Sequence, residues 1–320
     1  MIYPYKIIMS PNNIHPILLS ILNKNNISNA YIFHGPDGIG KKETALEFIA
    51  KIINKSNSEI KALEKIRANN FPDFILIEPT YLIKGKLIKQ SELIDDKNQK
   101  NKPVIRVDQI RELRKFLGIR SIQSEKKFIV IEDAHLLNEA ASNCLLKILE
   151  EPENGLFILI TSQINNLLDT IKSRCQQIRF NRLNNSELLK RIKENKNFTV
   201  EIESKLTNLK DLLYLANGSP SKAWENISTW LEIPEKIKSK ILSPLYNNVE
   251  ILILVKEIID ELDFKQQELL IEFIQYRWWQ ETKNIEIIKI IENLKSNIES
   301  NVQLRLAWEV CLLKIALKNF

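Results

Sequence analysis

The stretch that most constrains this chain is His34-Gly35-Pro36-Asp37-Gly38-Ile39-Gly40-Lys41-Lys42. It directly follows the apolar run Ala30-Tyr31-Ile32-Phe33 and precedes an amphipathic stretch. Glycine is scarce, seven in 320 residues, and three of the seven fall in this one loop. Gly35, Pro36, Gly38, Gly40 and Lys41 stand in GxxxxGK order. Glycines at those positions let backbone amides turn inward around an anion. The helix that follows adds the positive end of its dipole, and Lys41 adds a point charge. The spacing predicts a phosphate-binding loop between a buried strand and a helix.

Three further runs read as strands: Phe74–Ile77, Phe128–Ile131 and Phe157–Ile160. Each is continuously apolar instead of alternating, as expected when both faces of a parallel sheet are covered. Helical patterns lie between them. The clearest is Asn138–Glu151, where Leu137, Ala140, Ala141, Cys144, Leu145, Ile148 and Leu149 form one stripe and Pro152 stops it. This alternation predicts an α/β domain over residues 1–180. From Asn184 onward the pattern is helical, with Ser186 as a capping candidate ahead of Glu187 and a turn at Asn217-Gly218-Ser219-Pro220. A break at Leu231–Pro234 divides this part into a small helical domain, 181–230, and a helical C-terminal domain, 231–320. Tyr81–Pro103 is polar and charged and is expected to be a solvated loop.

The loop departs from its full pattern at Lys42. The pattern calls for Ser or Thr there, whose hydroxyl ligates Mg²⁺. A lysine cannot coordinate a cation, and Thr44 is two residues too late. The expectation is a site that binds ATP weakly, without proper metal placement, or not at all, with little or no hydrolysis. The third apolar strand ends in Glu132-Asp133, where open parallel sheets put ligand chemistry. In an active ATPase of this kind the order is Asp then Glu. The inversion displaces each carboxylate by about a methylene, and errors of that size can cost about a hundredfold in rate. His135 reads as structural.

The formal net charge of +6 permits an acidic or nucleic-acid partner, although lysine is used heavily throughout. Arg106, Arg111, Arg114, Lys115 and Arg120 form a basic group, read as a solvated helix face in preference to a DNA-phosphate contact. Cys144, Cys175 and Cys311 are odd in number and far apart, so neither a disulfide framework nor a zinc pair is implied. A reducing cytoplasm fits. The start MIYPYKIIMS lacks the pattern of a signal peptide, and no uncharged apolar run is long enough to span a bilayer, so no membrane role is expected.

The combination of segments resembles a known family. Glu132–Leu137 runs into AASNCLLKILEEP (Ala140–Pro152), then FILITS (Phe157–Ser162), then Ile171-Lys172-Ser173-Arg174-Cys175. NNFPDFILIEPT (Asn69–Thr80), Ile105–Arg111 and NVQLRLAWEVCLLKI (Asn301–Ile315) add to it. The chain is similar over nearly its whole length to the bacterial DNA polymerase III clamp loaders, an AAA+ family. The resemblance implies a P-loop α/β domain, a helical lid and an all-α collar through which subunits assemble. It also implies gamma/tau and delta subunits as partners, a sliding clamp, and primed template DNA reached through the complex. It places Arg174 as an arginine finger supplied to a neighbouring subunit's ATP site, and Thr161 and Ser162 at the first sensor. A cation placed beside the γ-phosphate stabilises charge that spreads in the transition state.

Within that family the departures point away from the motor type. Motor subunits, gamma and tau, should carry GKS or GKT, the Asp-Glu order and a sensor-two arginine. Here Ser221 stands where that arginine would lie, with Lys222 out of register. No cysteine occurs between Gly40 and Asp133, so the family's zinc module is not expected. The pattern is that of the delta-prime branch, a member lending Arg174 while its own site is degraded. An ATP-hydrolysing gamma/tau-type motor is the alternative, and a stand-alone nucleic-acid repair ATPase is a third reading. Against the third, Trp224, Trp230, Trp278, Trp279 and Trp308 sit in helical patterns that suit packing. No polymerase active site is expected in this chain.

Overall fold

The computed structural model describes residues 15–53, 59–83, 86–89, 92, 102–194, 198–242, 247–299 and 303–317. The first ten residues, read above for a targeting signal, lie outside these. The chain divides into two compact units with the boundary between Arg182 and Leu183.

The first unit contains, in order, α1 (Pro16–Asn23), β1 (Ala30–His34), α2 (Lys41–Ile53), α3 (Glu59–Arg67), β2 (Phe74–Ile77), β3 (Thr80–Ile83), β4 (Lys86–Lys89), α4 (Val107–Gly118), β5 (Lys127–Ile131), α5 (Glu139–Glu150), β6 (Gly155–Thr161), α6 (Asp169–Lys172) and β7 (Gln176–Arg179). Five strands form one sheet in the order β2-β5-β6-β1-β7, and every pairing in it is parallel. β5 and β6 are buried at every position, which is why their sequences are continuously apolar instead of alternating. One core layer gathers Ile129, Ile131, Phe157 and Leu159 with Ile110 and Leu113 of α4 and Leu145 of α5. Elsewhere Tyr31 of β1 meets Phe48 of α2 edge-on at 5.5 Å, the arrangement aromatic quadrupoles favour.

Two expectations need correction. The polar segment from Tyr81 begins as structure: β3 and β4 form an antiparallel hairpin, with Thr80 opposite Lys89 and Ile83 opposite Lys86. Tyr81 is buried. Two four-residue β-prone runs pair across a short connection, and the flanking lysines had disguised them as a solvated loop. Residues 93–101 of the same segment lie outside the described residues. The helix after Asn184 is capped by Asn184 itself, whose Oδ1 accepts from Glu187 N at 2.9 Å while Glu187 Oε2 accepts from Asn184 N at 3.1 Å. Asn184 and Glu187 have the three-residue spacing of a capping box. Ser186 lies inside the first turn and donates to Asn184 Oδ1.

The second unit is helical: α7 (Asn185–Lys193), α8 (Val200–Lys205), α9 (Leu209–Leu215), α10 (Pro220–Glu232), α11 (Glu235–Ile241), α12 (Asn248–Glu261), α13 (Phe264–Thr282), α14 (Ile285–Glu299) and α15 (Leu304–Ala316). One hydrophobic core draws on helices both before and after residue 230, and it includes Trp230, Phe273 and Trp308. Trp230 and Phe273 meet at 4.2 Å between ring centroids. Asn217 and Gly218 take left-handed conformations before α10. There Ser219 caps the helix through a hydrogen bond from Lys222 N, and Pro220 occupies the first helical turn. No helix among the described residues is long and apolar enough to cross a membrane.

Candidate functional site

The glycine loop leaves the C-terminal end of β1 and enters α2. Gly35, Gly38 and Gly40 all have positive φ, at 148°, 69° and 94°, conformations that a side chain would strain. Gly35 is also constrained by space, because a Cβ there would lie 2.2 Å from the carbonyl oxygen of Phe180. The loop is hooked to the next strand by Gly35 N donating to Thr161 O at 3.2 Å.

Lys41 is almost wholly buried, and its Nζ donates to the carbonyls of Gly35 and Pro36, both at 2.6 Å. Asp37 Oδ1 lies 3.5 Å away. Burial pulls the Lys41 ammonium below the ordinary lysine value, against the attraction of Asp37.

Lys42 turns the other way, toward the strand ends. Its Nζ lies 2.6 Å from Glu132 Oε2 and 3.4 Å from Glu78 Oε1. The two carboxylates are neighbours by construction. β2 and β5 pair with Ile77 opposite Ile131, and Glu132 N donates to Ile77 O at 2.9 Å, so the residues just past each strand end stand side by side. Burial works against the charged form of Lys42, yet Glu132 and Glu78 outweigh it and hold the ammonium above the usual lysine value. For Glu132 burial is the larger influence and lifts its carboxyl above the usual range, with Lys42 opposing. The short contact and the raised Lys42 support an ionised pair.

Glu78 was not singled out from the sequence, although its place after a buried parallel strand was a usable signal. Its backbone is fixed by Gln109, whose Nε2 donates to Glu78 O at 2.9 Å and whose Oε1 accepts from Arg106 N at 2.9 Å. Arg106 in turn donates through Nη1 to Thr80 O and Thr80 Oγ1. It is therefore a bracket for β3, unlike Arg111, Arg114, Lys115 and Arg120, which are exposed.

Asp133 sits in a left-handed conformation, φ 47°. Burial raises its carboxyl, with His135 opposing. Thr161 is fully buried at the end of β6, and its hydroxyl meets His135 Nδ1 at 3.2 Å and accepts from Gln163 N at 3.0 Å. Thr161 pairs with His34 across β6 and β1, which puts Thr161 and Ser162 beside the glycine loop. His135 thus braces that strand end.

Arg174 lies elsewhere. β7 is parallel to β1, with Tyr31 opposite Gln176 and His34 opposite Arg179. Arg174 precedes β7, so it stands at the N-terminal end of the sheet, whereas the glycine loop stands at the C-terminal end. At about 3.3 Å per residue the two ends are separated by ~10 Å or more. Its Nη2 donates to Glu150 Oε1 at 2.7 Å and its Nη1 to Thr170 O at 3.0 Å.

The residues around Lys42 do not fit a divalent metal. The position that should offer a hydroxyl offers an ammonium, and that ammonium already engages the two carboxylates that flank it.

A glycine loop at the C-terminal end of β1, an acidic pair at the same end of β5 with β6 between them, and a following helical unit define a P-loop α/β protein. The chain belongs to the DNA polymerase III delta-subunit family, delta-prime type. Residues 11–184 match the family model described as DNA polymerase III, delta subunit, and residues 187–315 match the C-terminal domain of cyanobacterial DNA polymerase III delta prime. Subunit delta' of Pseudomonas aeruginosa is 34% identical over 157 residues, covering 47% of this chain and 42% of that protein. Subunit delta' of Bacillus subtilis is 32% identical over 171 residues, covering 51% and 45%. The matched stretch thus spans less than half the length of these relatives. Subunit gamma/tau of Mycoplasma genitalium is 31% identical over 195 residues, 59% of this chain and 29% of that one. Among solved structures, a gamma-subunit-related protein of Thermotoga maritima aligns with a TM-score of 0.48 at 18% identity, over 93% of this chain and 98% of that one.

Proposed function

We propose that this chain is a clamp-loader subunit with a degenerate nucleotide site of its own, which lends Arg174 in trans to the ATP site of a neighbouring subunit. The observation that carries the first half is the Lys42–Glu132 contact of 2.6 Å. An ammonium occupies the acidic strand end that an active ATPase of this kind keeps for Mg²⁺. The second half is supported by Arg174 standing at the opposite end of the sheet from its own glycine loop, where it cannot serve that loop and is available to another. Gamma/tau and delta subunits are the partners, and the sliding clamp and primed DNA are reached through the assembled complex, in the cytoplasm. The curated relatives named delta' support this assignment within the family.

The test is reconstitution with gamma/tau and delta, followed by DNA-stimulated ATPase with wild type and Arg174→Ala. Loss of a hundredfold or so at the site bordering this chain, with assembly intact, is expected. Unchanged turnover in an assembled complex would remove Arg174 from the mechanism. The gamma/tau-type relatives favour a second reading, an active motor. It requires the isolated chain to hydrolyse ATP at a motor's rate, and we expect little or none.

A further inference from the structure

Lys42 is the second residue of α2, where the helix dipole disfavours a positive charge. It is nonetheless held there by two carboxylates whose backbones the sheet sets side by side. Without a cation between them, Glu78 and Glu132 would repel each other at the rim of a buried sheet. Glu78 is nearly buried, with a tenth of its side chain exposed, and Glu132 has a quarter exposed. Both carboxylates are more buried than surface residues, which limits how far water can screen that repulsion. The Gln109 amide, which fixes the Glu78 backbone, further limits its retreat.

We propose that Lys42 Nζ is the resident cation of this site, doing for Glu132 and Glu78 what a divalent metal would do, so that the fold gains nothing from Mg²⁺. Neutralising position 42 turns the same two carboxylates into a divalent-cation site. The proposal rests on the degenerate-site reading above and deepens it. The lysine is a covalently attached replacement for the metal.

The experiment is thermal denaturation of the full chain in EDTA, in Mg²⁺ and in Mn²⁺, for wild type, Lys42→Thr and Lys42→Met. The methionine keeps most of the aliphatic stem, which separates charge from packing. Wild type should melt at one temperature in all three solutions. Both variants should lose roughly 4–10 °C in EDTA, the loss for a partly exposed ion pair with one partner removed. Saturating Mn²⁺ or Mg²⁺ should return part of that loss in Lys42→Thr, whose hydroxyl adds a ligand.

A saturable Mg²⁺ stabilisation of wild type would overturn the proposal, and so would variants as stable in EDTA as wild type. Should a single variant fail to fold, the double variant Lys42→Met with Glu132→Gln decides. It is expected to fold and to ignore Mn²⁺, and a double variant that still responds to Mn²⁺ overturns the idea. A metal-responsive wild type that turns over no ATP would sink the internal cation alone. ATP turnover by the isolated chain would instead sink the degenerate-site reading.

Discussion

Arg174 is held by Glu150: the guanidinium Nη2 and the carboxylate Oε1 are 2.7 Å apart, and Nη1 is fixed on the Thr170 carbonyl. Both side chains are about a third or more exposed, so the pair contributes less than about 1 kcal/mol to stability. Its value is orientation, because two directed contacts fix a long side chain that would otherwise sample many rotamers. Glu150→Gln is expected to leave the melting temperature within a degree or two while lowering ATPase of the reconstituted complex, by less than Arg174→Ala does. Equal ATPase for wild type and Glu150→Gln would show that the contact does not position Arg174 for its proposed role.

Gly35→Ala should be among the most damaging single-atom additions in the chain. The backbone has φ of 148°, and the new Cβ would press on the Phe180 carbonyl at 2.2 Å. Backbone must move to relieve this, so a loss of about 3 kcal/mol or more is expected. Urea denaturation compared with wild type is the check.

Asp73 offers a pH-dependent test. It is buried, and its carboxylate accepts hydrogen bonds from Ile122 N, Gln123 N, Ser124 N and Ser124 Oγ. Burial opposes ionisation, but these donors outweigh it and hold the carboxyl below the ordinary aspartate value. A lowered folded-state pKa means the contribution is complete above the unfolded value, near pH 4, and disappears as pH falls through the folded value. Asp73→Asn should therefore cost about 2 kcal/mol at neutral pH and progressively less in acid. A cost that stays constant across the acid range would contradict this.

In the helical unit, Trp308 is fully buried and its Nε1 donates to Gln267 Oε1 at 3.1 Å, while Gln267 Nε2 donates to Leu262 O at 3.0 Å. Gln267→Leu keeps the volume and removes both partners. Two buried polar groups left unsatisfied should cost about 2–4 kcal/mol, read as a shift of the denaturation midpoint, followed by far-UV circular dichroism.

Much of the sheet was legible because β1, β5 and β6 are interior strands, where covering both faces writes an unbroken apolar run into the sequence, and β2, although at an edge, is as continuously apolar. β7 left no such trace. It is an edge strand in which only Ile178 of Gln176-Gln177-Ile178-Arg179 is buried. The hairpin was hidden because Leu82 and Leu87 face solvent among lysines. The glycine loop and the acidic strand end were legible as motifs, and so was Lys42 standing where the full loop pattern has Ser or Thr. What Lys42 does instead was not readable. Its partners lie 36 and 90 residues away, and only the adjacency of β2 and β5 brings Glu78 next to Glu132. Arg174 was legible from its flanking motif, but its place at the far end of the sheet follows from the parallel register of an unforeseen strand.

That register gives the molecule a direction. With the glycine loop at one end of the sheet and the guanidinium at the other, the α/β unit has unlike flanks, which the proposed role makes one that receives and one that gives. Under the proposed role Lys42 disables the receiving flank, leaving the giving one in service. Under that role, in a row of such subunits, this chain would activate a neighbour and gain nothing from being activated. It would be the natural first member of a sequence that runs one way.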